Sequence, residues 1–148
     1  MSRGDESREE RTMAKKDNTL LANRVWEEVW HKGELHRIEE LFTSDFTRHD
    51  PGRELHGIEP NRQFIAGLRS AFPDGHFAVE DQIEAEDKVV VRYRFTGTNL
   101  GSFQGMPPTM RQVSYTGILI YRVVDDRIAE QWTEIDLLGL IRQLGLAT

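Results

Sequence analysis

The residues best suited to chemistry lie near the C-terminus, in the stretch EQWTEIDLLGLIRQLG at positions 130–145. Because side chains alternate between the two faces of a strand, Trp132, Glu134 and Asp136 share one face. If Trp132 lines the interior, Asp136 lies beside it as a poorly solvated carboxylate. Such a group can remove a proton from carbon next to a carbonyl and later return it. Asp136 is therefore the first candidate for an acid/base residue.

Asp136 also has a purely structural explanation. It stands directly before an apolar segment that predicts a helix over Leu137–Leu144, and Asp is among the best N-cap residues. The two interpretations are compatible, because one carboxylate can cap a helix and face a substrate.

A second candidate pair, His49 and Asp50, comes immediately before Pro51. The pair suits acid/base support, but a His and an Asp before Pro are also typical turn residues whose side chains bond to the nearby backbone. Five further residues are candidate ligand contacts, although core packing or a dimer contact explains Tyr115 at least as well. They are Trp132, Glu134, Trp26, Tyr93 and Tyr115.

Composition excludes several classes of function. The 148 residues carry a net charge of -6, which makes nucleic acid a poor partner, and the absence of cysteine rules out disulfides and thiolate chemistry. No apolar run approaches the roughly 18 residues of a membrane span. Metal-ligand and nucleotide-binding motifs are absent from the sequence. We therefore expect a cytoplasmic protein that uses no metal and contacts no membrane.

The elements that must position these residues follow from periodicity. Residues 1–17 are charged and predict a disordered tail, and residues 18–148 form one domain. The helical period predicts one helix from Asn18 that stops at Gly33, a second over Glu34–Phe42 and a third over Glu59–Phe72. After Pro73 the period changes to two, which predicts four long strands in an antiparallel meander. This order predicts an α+β fold.

Three stretches in this order, LFTSDFTRHDP, GTNLGSFQGMPPTMRQV and DDRIAEQWTEIDLLGLIRQLG, carry a family resemblance. Residues 18–148 resemble the SnoaL-like polyketide cyclase or ester cyclase branch of the nuclear-transport-factor-2-like superfamily. The resemblance implies a cystatin-like, cone-shaped curved antiparallel sheet packed on three N-terminal helices, with a short C-terminal helix. It also implies a hydrophobic pocket for a small apolar or aromatic metabolite, no cofactor, and a homodimer formed through the sheet.

The family resemblance also implies a reaction of the lyase or isomerase type, an intramolecular aldol condensation of a small apolar carbonyl substrate. By its WxxxD spacing, Asp136 matches the family's acid/base residue, with Trp132 beside it. The pair His49 and Asp50 matches a pocket-lining position whose polar side chain supports the enolate oxygen.

The sequence departs from the family pattern at Met110 and Asp126, where glycine is common. Other functions of the same fold stay open: a non-catalytic small-molecule-binding or dimeric interaction protein, or a cofactor-free hydroxylase, isomerase or hydrolase. Epoxide hydrolysis is disfavoured, because the strand VSYTGILIYR has no carboxylate.

Overall fold

The computed structural model describes residues 17–146 of the chain. The predicted disordered tail lies outside these residues except for Asp17, which accepts a hydrogen bond from the Thr19 N–H and caps the first helix. Helix α1 spans Asn18–Arg24 and continues without interruption as a π-helix over Val25–His31. Gly33 then takes a φ of +72°, a left-handed conformation that favours glycine and ends the helix.

The second predicted helix is shorter than expected. It consists of a 3-10 turn over Leu35–Arg37 followed by α2 over Ile38–Leu41. Helix α3 spans Ile58–Ala71, one residue earlier at each end than predicted, and stops two residues before Pro73. The last helix, α4, spans Leu137–Gln143.

Six strands form a single sheet in the order β2-β1-β6-β5-β4-β3. The strands are β1 Phe42–Asp50, β2 Arg53–His56, β3 His76–Ala85, β4 Lys88–Thr98, β5 Gln112–Val124 and β6 Arg127–Ile135. The predicted meander of four antiparallel strands, β3 to β6, is confirmed. The sheet is curved and open, and the fold belongs to the α+β class, as predicted.

Strand β1 pairs with the last strand rather than with the meander's first, and this pairing is parallel. It sets Arg48 opposite Gln131 and His49 opposite Trp132. Residues more than 80 positions apart in sequence therefore become neighbours at one end of the sheet. The short antiparallel strand β2, which the sequence did not predict, closes this end.

The helices cover the concave face of the sheet. Alternate residues of β4 and β5 are buried against them, as a half-buried strand requires. The buried hydrophobic residues of these two strands are Val89, Val91, Tyr93, Phe95, Val113, Tyr115, Leu119 and Tyr121. The other face of the sheet carries charged and scattered apolar side chains and is called the outer face below.

Candidate active site

A pocket lies between the helices and the concave face of the sheet. Aromatic side chains from the π-helical turn, α3, the strands and the loop after β4 form its walls: Trp26, Trp30, Phe64, Phe77, Tyr93, Phe103, Tyr115 and Tyr121. Strands β1 and β6 add polar side chains at one side. An apolar site with a few polar groups is the usual form of a small-molecule binding site.

The polar side of the pocket is built first by β1. Asp50 lines the pocket together with Arg48, whereas His49 between them points to the outer face, because successive side chains alternate. Arg48 is 3% exposed, which is unusual for a cation. The Asp50 Oδ1 atom is buried and accepts no hydrogen bond from the described residues. It lies 3.7 Å from Arg48 Nη1, an ion pair without a direct hydrogen bond.

Strand β6 supplies Gln131, Thr133 and Ile135 to the pocket. Gln131 and Thr133 are buried, and the Gln131 amide donates to the Thr133 hydroxyl at 2.9 Å. The predicted inner-face position of Trp132 and Glu134 is therefore wrong. Trp132 lies on the outer face, and Glu134 is exposed there. The alternation divided the residues of β6 correctly between two faces. The assumption that Trp132 points inward then assigned the wrong face to the interior.

Asp136 does not line the pocket, so its predicted inner-face position is also wrong. It is exposed, and its Oδ1 accepts a hydrogen bond from the Gly139 N–H at 3.0 Å. The carboxylate thus caps α4, the structural alternative that the sequence left open. The acid/base role assigned to Asp136 by family resemblance stays a prediction, now without a position in the pocket.

His49 lies on the outer face between two carboxylates. Its Nδ1 is 2.9 Å from Glu54 and its Nε2 is 2.7 Å from Glu130. The imidazole stacks on Trp132 with ring centroids 5.6 Å apart. The structure therefore separates the two members of the predicted pair: Asp50 reaches the pocket and His49 does not.

Three other predicted contact residues, Trp26, Tyr93 and Tyr115, do line the pocket. Burial raises the pKa of Tyr93, Tyr115 and the neighbouring Tyr121 well above the ordinary tyrosine value. Their hydroxyls therefore stay neutral near pH 7 and can donate hydrogen bonds to a ligand. Gly117 makes room for one of them, since a Cβ there would meet the Tyr93 hydroxyl oxygen at 2.6 Å.

Several buried polar atoms of the pocket residues have no hydrogen-bond partner within the described part of the chain. They are Trp26 Nε1, Asp50 Oδ1 and Gln131 Oε1. Leaving such an atom unpaired costs roughly 1–3 kcal/mol, so each is normally satisfied by something. One donor and two acceptors on residues that line the pocket suit a ligand that carries both carbonyl and hydroxyl oxygens.

Sequence reasoning missed five polar residues of the pocket: Arg48, Arg53, Gln104, Gln131 and Thr133. A signal for Arg48 was present, because it lies two residues after the apolar Phe46 and two before Asp50 in one strand. Gln131 and Thr133 were placed correctly on the face opposite Trp132.

Within residues 17–146, no group of three or more His, Asp or Glu side chains is arranged to hold a metal ion. None of the described helices is both long and apolar enough to cross a bilayer.

Comparison with known proteins shows which family the chain belongs to. The family described as SnoaL-like polyketide cyclase matches residues 20–144. Nogalonic acid methyl ester cyclase of Streptomyces nogalater is 28% identical over 122 residues, which cover 79% of this chain and 90% of that protein.

Solved structures show the same architecture. A candidate SnoaL-like polyketide cyclase from Jannaschia sp. CCS1 superposes with a TM-score of 0.82 at 27% identity, covering 88% of this chain and 93% of the other. AclR, a candidate hydroxylase from Streptomyces galilaeus, superposes with a TM-score of 0.78 at 26% identity, covering 88% of this chain and 97% of the other. Since both descriptions occur on one fold, the site residues must decide the reaction.

Proposed function

Because the chain belongs to the SnoaL-like polyketide cyclase family, we propose that it is a cofactor-free polyketide or ester cyclase. Its reaction is an intramolecular aldol condensation of a polyketide-type carbonyl compound. Asp50 carries the proposal: it is the one carboxylate among the residues that line the pocket, and its Oδ1 is buried without a hydrogen bond from the described residues.

The proposed reaction needs a single carboxylate. Asp50 removes a proton from a carbon next to a carbonyl group, and the electron pair of the broken C–H bond forms an enolate. The enolate carbon attacks a second carbonyl carbon of the same molecule, which forms a C–C bond and leaves an alkoxide. Asp50 then returns the proton to the alkoxide oxygen, so the product is an isomer of the substrate.

The rest of the pocket supports this reaction in two ways. The aromatic walls can hold a flexible chain folded so that the two reacting carbons meet, which removes much of the entropic barrier. The neutral hydroxyls of Tyr93, Tyr115 and Tyr121 are donors suited to the carbonyl oxygens on which negative charge develops. Asp50 replaces Asp136 as the proposed base, because Asp136 is exposed and outside the pocket.

Two matched variants test the assignment. Nogalonic acid methyl ester, the compound named for the Streptomyces nogalater relative, is the first substrate to try, and chromatography with mass spectrometry detects an isomeric product. We expect Asp50→Asn to lower turnover by about 10²-fold or more, because the amide cannot accept the proton. Asp136→Asn, which changes the same charge outside the pocket, should retain turnover.

Full turnover by Asp50→Asn would refute the proposal. A loss confined to Asp136→Asn would return the acid/base role to that residue. If the wild-type protein binds polyketides without converting any of them, the non-catalytic binding function applies instead, and native mass spectrometry would detect the retained ligand.

We also propose that two copies pair through the outer face of the sheet. An apolar row in register crosses four strands of this face: Ile83, Val90, Ile120 and Trp132. Ile83 is 61% exposed, Ile118, two residues before Ile120 on β5, is 50% exposed, and monomers rarely leave large apolar patches uncovered. Light scattering during size-exclusion chromatography should give twice the chain mass of 17.1 kDa. The mass of a single chain at micromolar concentration would contradict the dimer.

A further inference from the structure

The pocket contains a buried cation that the proposed proton transfer does not use. Arg48 lies on β1, two residues before Asp50, and only 3% of its surface is exposed. Burying a guanidinium is costly unless its N–H groups find acceptors. The contacts of Arg48 therefore indicate its role in the pocket.

Two contacts fix the orientation of the guanidinium. Its Nε and Nη2 both donate to the Asn61 side-chain oxygen, at 3.2 and 3.1 Å, and Asn61 is fully buried in α3. The ring of Phe64, one helical turn further on, lies 4.7 Å from the guanidinium carbon, within cation–π distance. Arg48 is thus held by two residues of α3, the hydrogen-bond acceptor Asn61 and the aromatic ring of Phe64.

The third nitrogen, Nη1, is left for a ligand. It lies 3.7 Å from Asp50 Oδ1, beyond hydrogen-bond length, and makes no hydrogen bond to the residues described. An oxygen atom that accepts from Nη1 would lie next to the Asp50 carboxylate. Arg48 and the proposed base Asp50 would therefore contact neighbouring atoms of one bound molecule.

The charge of the lining also favours an anion. Its charged members are Arg48, Arg53 and Asp50, so two cations face one carboxylate, in a chain whose net charge is -6. Arg53 lies 5.1 Å from the Phe64 ring, so both cations contact one aromatic side chain. A positive pocket in an acidic protein is suited to a ligand with a negative oxygen.

We infer that Arg48 Nη1 binds the substrate carbonyl oxygen that becomes the enolate oxygen when Asp50 removes the proton from the adjacent carbon. The inference rests on the proposed function for the deprotonation step, but the binding by Arg48 is independent of turnover. Asn61 acts as a positioning residue, since it touches Arg48 and does not line the pocket.

A pair of small quinones tests the binding without catalysis. The hydroxyl group of 2-hydroxy-1,4-naphthoquinone is a vinylogous acid that is ionised at neutral pH, and its anion resembles a 1,3-dicarbonyl enolate. The 2-methoxy compound has nearly the same shape and no charge. By calorimetry we expect the wild-type protein to bind the hydroxy compound about tenfold more tightly or better, because a charged hydrogen bond forms.

Variants at neighbouring positions should shift this preference in opposite directions. Arg48→Met should abolish it, and Arg48→Lys should reduce it while preserving the buried charge, which keeps the test valid if Arg48→Met does not fold. Asn61→Leu should also reduce the preference, because the guanidinium loses its acceptor.

Asp50→Asn should increase affinity for the hydroxy compound, since a negative charge beside the anion is removed. The matched control is Arg94→Met, on the outer face, where the preference should not change.

Equal wild-type affinity for the two quinones, or an unchanged preference in Arg48→Met and Arg48→Lys, would overturn the inference. The two proposals fail separately. A protein that prefers the anion yet converts no polyketide refutes the cyclase function alone, whereas a cyclase without the preference refutes the role of Arg48 alone.

Discussion

Both faces of strands β1 and β6 carry polar side chains, but the two faces differ in whether these side chains have hydrogen-bond partners. On the outer face, His49 contacts a carboxylate through each ring nitrogen and stacks on Trp132. On the pocket face, Asp50 and Gln131 each keep a buried oxygen that accepts nothing from the described residues. The satisfied cluster connects strands, and the unsatisfied one leaves two buried oxygens without a donor among the described residues.

The outer cluster shows what a structural set of charges looks like. Glu130 is within hydrogen-bond distance of His49 and accepts from Arg122 at 3.1 Å. The hydrogen bond from His49, followed by that from Arg122, holds the pKa of Glu130 below its usual value. A residue pair that looks catalytic in the sequence, a His beside an Asp, is thus divided between a strand-pairing role and a pocket role.

The largest effect that tests this comparison concerns stability. Phe46, on the pocket side of β1, is fully buried and packs edge-to-face on Phe42 at 4.7 Å, so Phe46→Ala should lower the free energy of unfolding by about 3–5 kcal/mol. Thr47 is its neighbour on the outer face, and Thr47→Ala should cost about 0.5–1 kcal/mol. Urea denaturation monitored by circular dichroism measures both. Similar losses for the two variants would break the distinction between the faces.

Much of the fold could be predicted from local sequence. The two-residue turn at Asp125 and Asp126 follows from turn chemistry, and both residues have positive φ values, 50° and 64°. Met110 has a φ of 63°. The family resemblance marked Met110 and Asp126 as positions where glycine is common, and both adopt the left-handed conformation that glycine favours. The left-handed backbone conformation is therefore present at both positions, although neither residue is glycine.

The site was harder to predict, because it depends on a contact between distant segments. The parallel pairing of β1 with β6 joins His49 to Trp132, and nothing local in either stretch indicates it. Without that contact, Trp132 had no visible partner outside the core, so the interior was the natural place for a large aromatic residue. Because the side chains of a strand alternate with a period of two, the wrong face for Trp132 also gave the wrong face for Glu134 and Asp136.

The smaller effect concerns Asp136 itself. Its Oδ1 accepts from the Gly139 N–H, so Asp136→Ala removes a cap and should lower the free energy of unfolding by about 1 kcal/mol. Asp136→Asn retains a capping oxygen and should change stability by only a few tenths of a kcal/mol. Turnover should be retained in both variants at a temperature where both are folded. Loss of turnover in Asp136→Asn without loss of stability would show that this exposed carboxylate reaches the substrate, and the separation between the two faces would then fail at the strand's end.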